Sequence, residues 1–393
     1  MNSHTEKPPS PELLKGLRVC YFGTYRANYS RNQIMIAGLR RVGVEVIECQ
    51  ATLWQGIQDR VQAVSGGWKH PRFWWRVLKT YAGLLRRYRA IGDYDVMVVG
   101  YPGQFDVYLA RWLARRRGKP LAWDIFMSIY LIADERGLVE RHPRIGQWIR
   151  RVERRACHLP DRLIMDTAEY VAWFQRTHGI APGRFRLVPT GADDRVFKPV
   201  APVPAPEKFT VTYYGTFIPN HGVEHIVEAA RLLQDQADIH FELIGQGPRQ
   251  AALKAKARRY GLDNVSFVGW VDKEDLPGRV ARADVCLGAF GTTPQSLMTV
   301  QNKIYEGLAM GKPVITGDAP TVRQSLTHGE HVYLCRRADP QDLARAIRAL
   351  RDDPALRQRL AQSGHARFQA DFNLAAIGAR FRVHLLELLG ERP

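Results

Sequence analysis

Residues 291–317 read GTTPQSLMTVQNKIYEGLAMGKPVITG, and their pattern decides what kind of fold to expect. A loop follows the apolar run Val285–Gly288, a helix is expected over Asn302–Met310, Gly311 caps its end, and a second apolar run covers Pro313–Thr316. Strand, helix and strand in so short a span form the repeating unit of a parallel sheet, whose crossovers are usually helical. The same alternation extends outward through the chain. Downstream and upstream in the second half, strands are expected at Thr210–Tyr214, His240–Gly245, Val265–Val268 and Val332–Cys335, with helices such as Val223–Leu233, Gln250–Tyr260 and Pro340–Asp352 between them. In the first half they are expected at Arg18–Phe22, Val44–Cys49, Asp95–Gly100, Pro120–Ile125, Arg162–Asp166 and Arg186–Pro189. Near-continuous apolar strands of this kind imply parallel sheets covered on both faces by helices.

A proline-rich segment, KPVAPVPAPEK at 198–208, interrupts the alternation. Its prolines deny ladder hydrogen bonds and favour an extended connector. The expected organisation is α/β, with two Rossmann-like doubly wound domains facing across a cleft. They would span 1–198 and 209–371, joined by a linker at 199–208, with a terminal helical segment at 372–393 packing back on the first domain. Ligands of open α/β sheets sit beyond the carboxyl ends of the strands, which makes the cleft the expected place for chemistry.

Lys303 and Glu306 lie three apart in the first turn of the helix in 291–317, beside a loop containing Gly291, so they share a face. Free amides and the positive end of a helix there suit a diphosphate, and a carboxylate in reach can accept both hydroxyls of a ribose. The same spacing also describes an ordinary surface Lys–Glu pair. Gly245-Gln-Gly247-Pro reads as a strand-end turn, and Val268-Gly-Trp-Val271 as another. In the first half, Gly23–Arg31 follows the first strand, and Ser30 with Gln33 suggests a capping box opening the next helix. Arg26, Arg31 and Asn32 can face a ligand there, and Gly100-Tyr101-Pro-Gly103 closes another strand at the same edge. Asp124 ends an apolar strand, where a lone carboxylate costs several kcal/mol, so it needs a partner or a role. Either it activates or positions a hydroxyl, or it caps the segment beginning at Ser128.

The charge is uneven. The chain carries 57 Lys+Arg against 39 Asp+Glu, and residues 1–200 hold 33 of the cations against 18 of the anions. Trp68–Arg89, WKHPRFWWRVLKTYAGLLRRYR, interleaves aromatics with Arg and Lys as an interfacial helix does. It can equally be a helix that packs its aromatics inward. Arg111–Lys119 and Arg150–Arg155 add basic faces. No run approaches the roughly 18 apolar residues of a membrane span, and the polar, Pro-rich start does not read as a secretory signal. Cys20, Cys49, Cys157, Cys286 and Cys335 are scattered, which suggests a reducing cytoplasm. No aspartate pair of DxD type follows a strand. The Asp-Asp pairs are Asp193-Asp194 and Asp352-Asp353, so no metal is expected.

The run NKIYEGLAMGKPVI, with YYGTFIPNHGVEHIVEAARLL, FELIGQGPRQAAL, VSFVGWVDKEDLP and ADVCLGAF before it, resembles the donor domain of family 4 glycosyltransferases of the GT-B fold. VPTGADDRVFKP resembles that family's interdomain segment, with Gly191, Asp193 and Phe197 in the matching places. The resemblance covers roughly Arg154 to the end of the chain well and the first domain loosely. It implies a retaining, metal-independent transferase that moves a sugar from a nucleotide diphosphate to an acceptor, such as a lipid-linked sugar or polysaccharide precursor. It implies that Glu306 holds the donor ribose, that Gly291, Thr292, Thr293 and Ser296 contact diphosphate and sugar, and that Gly245, Gly247 and Val271 border the nucleotide. Three departures stand out. The family's arginine after Gly215 is Thr216 here, and its lysine before Gly222 is His221. The first of its paired glutamates is replaced by Met298. Lys303 then becomes the cation for the phosphates, with His221 assisting when protonated.

The expected catalytic residues are therefore Asp124 and Lys303. The expected acceptor contacts are Gly23, Arg26, Arg31, Asn32 and Tyr101. The expected setting is the cytoplasm, peripheral on the inner face of an anionic membrane. A sugar-nucleotide 2-epimerase of the same architecture would bind the donor yet need no acceptor. The charge alone also admits a nucleic-acid binder, although no recognition motif appears.

Overall fold

A computed structural model describes residues 16–53, 71–200 and 207–390 of the chain. It divides into two compact units: Met1–Pro189 with Ile377–Pro393, and Thr190–Ala376.

The first unit is built on a six-stranded parallel sheet of order β2-β1-β3-β4-β5-β6. Its strands are β1 (Arg18–Gly23), β2 (Glu45–Gln50), β3 (Val96–Val99), β4 (Leu121–Asp124), β5 (Arg162–Met165) and β6 (Phe185–Leu187). β3 and β4 are wholly buried, as a parallel strand covered on both faces must be. The helix Ser30–Arg41 follows β1, and the helix Leu374–Gly390 crosses it with backbones nearly touching. A Cβ on Gly378 would lie 1.9 Å from the Gly38 carbonyl oxygen, so only glycine allows this approach. Arg186 Nε also donates to Glu387 at 2.9 Å.

The second unit repeats the plan with the order β12-β11-β10-β7-β8-β9. Its strands are β7 (Phe209–Tyr214), β8 (Ile239–Ile244), β9 (Val265–Val268), β10 (Val285–Leu287), β11 (Val314–Gly317) and β12 (Tyr333–Cys335). All pairings are parallel. β7 lies between β8 and β10, so the strand order reverses beside it, and the crevice at such a reversal is where doubly wound sheets bind ligands.

The boundaries differ from those expected. Thr190–Lys198 belongs to the second unit, not the first. There Ala192 donates its N–H to Phe372 at 3.2 Å, and buried Phe197 joins the core around Ile304, Tyr305 and Phe372. The second unit runs on to Ala376, and the linker residues 201–206 lie outside the described residues. The capping box is also absent. The helix Ser30–Arg41 has Tyr29 at its N-cap with no side-chain cap, so Ser30 is already helical.

Candidate functional site

The carboxyl ends of β7, β8 and β10 converge on closely packed loops. A Cβ on Gly245 would sit 2.1 Å from the Gly215 oxygen, and one on Gly222 would sit 2.4 Å from the Gly291 nitrogen. Backbones pressed this tightly leave a shallow floor of main chain, the surface a diphosphate can approach. Gly222 also has φ +63°, a left-handed geometry that glycine adopts without strain.

Lys303 rises into this floor from the helix Asn302–Ala309, whose N-cap Gln301 makes no side-chain cap. The residue is buried, at 6% exposure. Its Nζ lies 3.4 Å from Tyr213 Oη and 3.2 Å from His221 Nδ1, and 4.7 Å above the Tyr213 ring. A Cβ on Gly215 would be 3.1 Å from that Nζ, so the glycine leaves room for the ammonium. Among the described residues no carboxylate comes within 4.0 Å of it. Burial pushes the Lys303 ammonium down to about 7, with Glu306 opposing the shift. The pair is therefore not a solvated surface pair.

Glu306, one turn further on, keeps part of its surface at solvent. Burial pushes its carboxyl up to about 7, against the pull of Lys273, Lys303 and a hydrogen bond from Tyr214. The Tyr214 hydroxyl also donates to the Lys303 carbonyl at 3.1 Å, tying the helix to the end of β7.

His221 does not supply the second cation. Its Nδ1 lies 2.7 Å from the Thr216 oxygen and 2.8 Å from Tyr213 Oη. Burial and the neighbouring Lys303 charge hold it well below the usual histidine range, hence neutral. Thr216 is exposed but lends its carbonyl to His221.

Ser296 is not a ligand hydroxyl either. It is 1% exposed, donates to the Asn220 oxygen at 2.5 Å and accepts from Arg337 Nη1 at 2.9 Å, so its hydroxyl joins two loops and is not free for a ligand. Thr293 caps the short helix Pro294–Met298 by accepting from the Ser296 N–H. Gly291 is buried, where a Cβ would lie 2.4 Å from the Pro219 oxygen, and Thr292 beside it is exposed, while Gly247 packs on Phe217 and Val271 on the core beside Val268.

Sequence reasoning missed three residues here. Arg337 reaches back from the end of β12 to the carbonyls of Asp318 and Gly291, 2.9 Å each. Its burial lowers the guanidinium to about 10. Tyr213 and Tyr214 read as strand residues, yet their hydroxyls position Lys303 and Glu306. The adjacent tyrosines at the end of an apolar strand were the signal available.

The first unit places its expected ligand residues differently. Arg31 and Asp124 are both fully buried and paired, with Nη2 to Oδ1 at 2.8 Å and Nε to Oδ2 at 3.0 Å. Arg31 Nη1 donates to the Val188 oxygen at 2.8 Å. Asp124 is thus neither a free base nor a helix cap, and Ser128 itself caps the following helix. Buried Asn32 brackets Tyr101 by accepting its N–H at 3.0 Å and donating to its oxygen at 2.9 Å. Gly23 faces Asp106, which accepts from the Thr24 N–H at 2.7 Å. Of the five expected acceptor contacts, Arg26 alone keeps a guanidinium that no described residue holds. Asp166, unremarked in the sequence, ends β5 beside this pair with Oδ1 buried and unpartnered among the described residues. Burial pushes it up to about 7, against Arg31.

Two parallel-sheet α/β domains of this kind define the GT-B fold. The sucrose-phosphate synthase of Thermosynechococcus elongatus is similar over 96% of this chain and 100% of that one, with TM-score 0.72 and 19% identity. Anabaena HepE, solved in complex with UDP-glucose, is similar over 96% and 100%, with TM-score 0.66 and 16% identity. Residues 208–353, all in the second unit, match the family described as Glycosyl transferases group 1. A lipopolysaccharide core biosynthesis glycosyltransferase, LpsD of Rhizobium meliloti, is 30% identical over 44% of this chain and 47% of its own length. A glycogen synthase of Mycobacterium tuberculosis is 28% identical over 46% and 43%. The chain spans a little under half the length of these two relatives.

Proposed function

We propose that this chain is a glycosyltransferase of family 4 that binds a nucleotide-diphosphate sugar at the carboxyl ends of β7 and β10. It transfers the sugar to a sugar-bearing acceptor with retention and without a metal. The observation that carries this reading is the buried Lys303 ammonium, set among glycine backbones with no carboxylate within 4.0 Å among the described residues and with Glu306 one turn beyond. A cation left uncompensated in a crevice of main-chain amides is complementary to a diphosphate. Support comes from one relative named as a glycosyltransferase and one named as a glycogen synthase, and from a neighbour of the same fold solved with UDP-glucose.

In this reading the donor diphosphate lies along the Gly215–Gly222 and Gly291–Thr293 loops. Lys303 stabilises the charge that develops on the leaving diphosphate, where a fixed cation away from water acts most strongly. Glu306 accepts hydrogen bonds from the ribose hydroxyls. Arg337 and Ser296 hold the two loops in register.

The test is calorimetric titration with UDP and its 2′,3′-dideoxy analogue. Wild type binds UDP more tightly than the analogue. Glu306→Gln binds UDP roughly 10- to 150-fold more weakly, the equivalent of one charged hydrogen-bond set at about 1.5–3 kcal/mol, and hardly distinguishes the two ligands. Undiminished UDP binding by the variant refutes the ribose role.

A further inference from the structure

Three helices far apart in sequence share one face of the first unit: Pro71–Arg89, Asp106–Arg116 and Pro143–Cys157. The order β2-β1-β3-β4-β5-β6 means that the connections β2→β3, β3→β4 and β4→β5 all advance one way, while β1→β2 runs the other. Right-handed crossovers then put these three helices together, opposite Ser30–Arg41. Side chains join them: Tyr81 donates to Asp106 at 2.7 Å and Tyr108 donates to the Val152 oxygen at 3.0 Å.

Their outer surface is aromatic and basic. Trp75 is 70% exposed, Leu78 67%, Trp112 47% and Trp148 55%. The three helices carry two acidic residues, Asp106 and Glu153, and both are buried and hydrogen-bonded within the unit. Every exposed charge on them is an arginine or lysine, from Arg72, Arg76 and Lys79 to Arg151 and Arg155. The aromatic row along Asp106–Arg116 ends at a cavity of about 620 Å³ lined by Arg111, Arg115, Arg162, Arg184 and His158. Its one acid, Asp161, already accepts from Arg111 and from the Leu121 N–H, each at 2.8 Å.

We propose that this face docks on an anionic lipid bilayer, with the tryptophans in the interfacial layer and the arginines on lipid phosphates. A polyanion such as nucleic acid satisfies the arginines but leaves Leu78 in water, whereas a bilayer interface covers both. No described helix is long and apolar enough to cross a membrane, so the contact is peripheral. The inference is independent of the donor-site reading.

The experiment is co-sedimentation of the full chain with vesicles of phosphatidylcholine alone or with 30 mol% phosphatidylglycerol. Binding to the anionic vesicles and not to the neutral ones is expected, with loss at high salt. Trp75→Ala/Trp148→Ala weakens the partition roughly tenfold, while its thermal unfolding midpoint and circular dichroism spectrum stay those of wild type, which shows that the variant is folded. Arg115→Glu weakens it as well. Any of three results overturns the proposal: no binding to anionic vesicles at low salt, equal binding to neutral ones, or an undiminished tryptophan variant. Tighter binding to single-stranded DNA than to anionic vesicles at matched salt also overturns it, in favour of a nucleic-acid surface.

Discussion

Each unit buries a cation at the carboxyl edge of its sheet, Arg31 in the first and Lys303 in the second, and the two are held in opposite ways. Arg31 is met by a carboxylate, with Nη2 2.8 Å from Asp124 and Nη1 on the Val188 carbonyl. Lys303 is met by a neutral imidazole at 3.2 Å and a phenol at 3.4 Å. In the first site the guanidinium is met by a carboxylate and a carbonyl, so Arg31 fixes the loops of the first unit and is not itself free for a ligand. The second is electrically open, and a buried charge without a partner is either a burden on stability or half of a binding site.

Removing each cation tests the contrast most directly. Arg31→Ala leaves the buried Asp124 carboxyl without its guanidinium partner, and should lower stability by about 3–5 kcal/mol in urea unfolding. A loss under about 1 kcal/mol would mean that the pair is not structural. Lys303→Met removes an uncompensated charge, so stability should hold or rise. UDP affinity should fall roughly 10- to 150-fold, the equivalent of about 1.5–3 kcal/mol. If instead Lys303→Met unfolds like Arg31→Ala, the two sites are alike and the comparison breaks.

Titration sharpens it further. With its proton affinity lowered from 10.5 to about 7, Lys303 is neutral in the folded chain but charged in the unfolded chain between those values. The unfolded state then binds more protons, so this group makes stability rise with pH across that window. Glu306, raised from 4.5 to about 7, keeps its proton only in the folded chain, so it makes stability fall as pH rises through that lower window. Ligand binding needs the ammonium and the carboxylate together. UDP affinity should therefore peak near neutral pH, with Glu306→Gln flattening the acid limb and Lys303→Met the basic limb. Comparing each variant with wild type cancels the titration of the UDP phosphate itself. A wild-type profile identical to both variants would remove these groups from the site.

The smallest effect separates Arg26 from Arg31. No described residue holds the Arg26 guanidinium, so Arg26→Ala should stay within about 0.5 kcal/mol of wild-type stability. A loss comparable to that of Arg31→Ala would show that the loop after β1 is closed by both arginines.

All twelve expected strands are present, each within a residue or two of its expected ends, and so is the helix that carries Lys303 and Glu306. These are local signals: the alternation of apolar runs, the glycine beyond a helix end, two residues three apart on one turn. The reading failed where the answer depended on a distant partner. Asp124 looked like a carboxylate in search of a role because Arg31 lies 93 positions away. His221 looked like a proton-dependent cation because Lys303 lies 82 positions away. Ser296 looked like a ligand hydroxyl because Arg337 lies 41 positions away.

The sequence by itself determined the alternation of strands and helices, the two-sheet plan and the excess of positive charge in the first half. Short-range periodicity and residue count specify these without reference to the path of the chain. The tertiary structure alone decided which charges are closed and which are open, and that three basic helices share one face. Strand order chooses which distant side chains meet, and burial sets what an unmet charge costs.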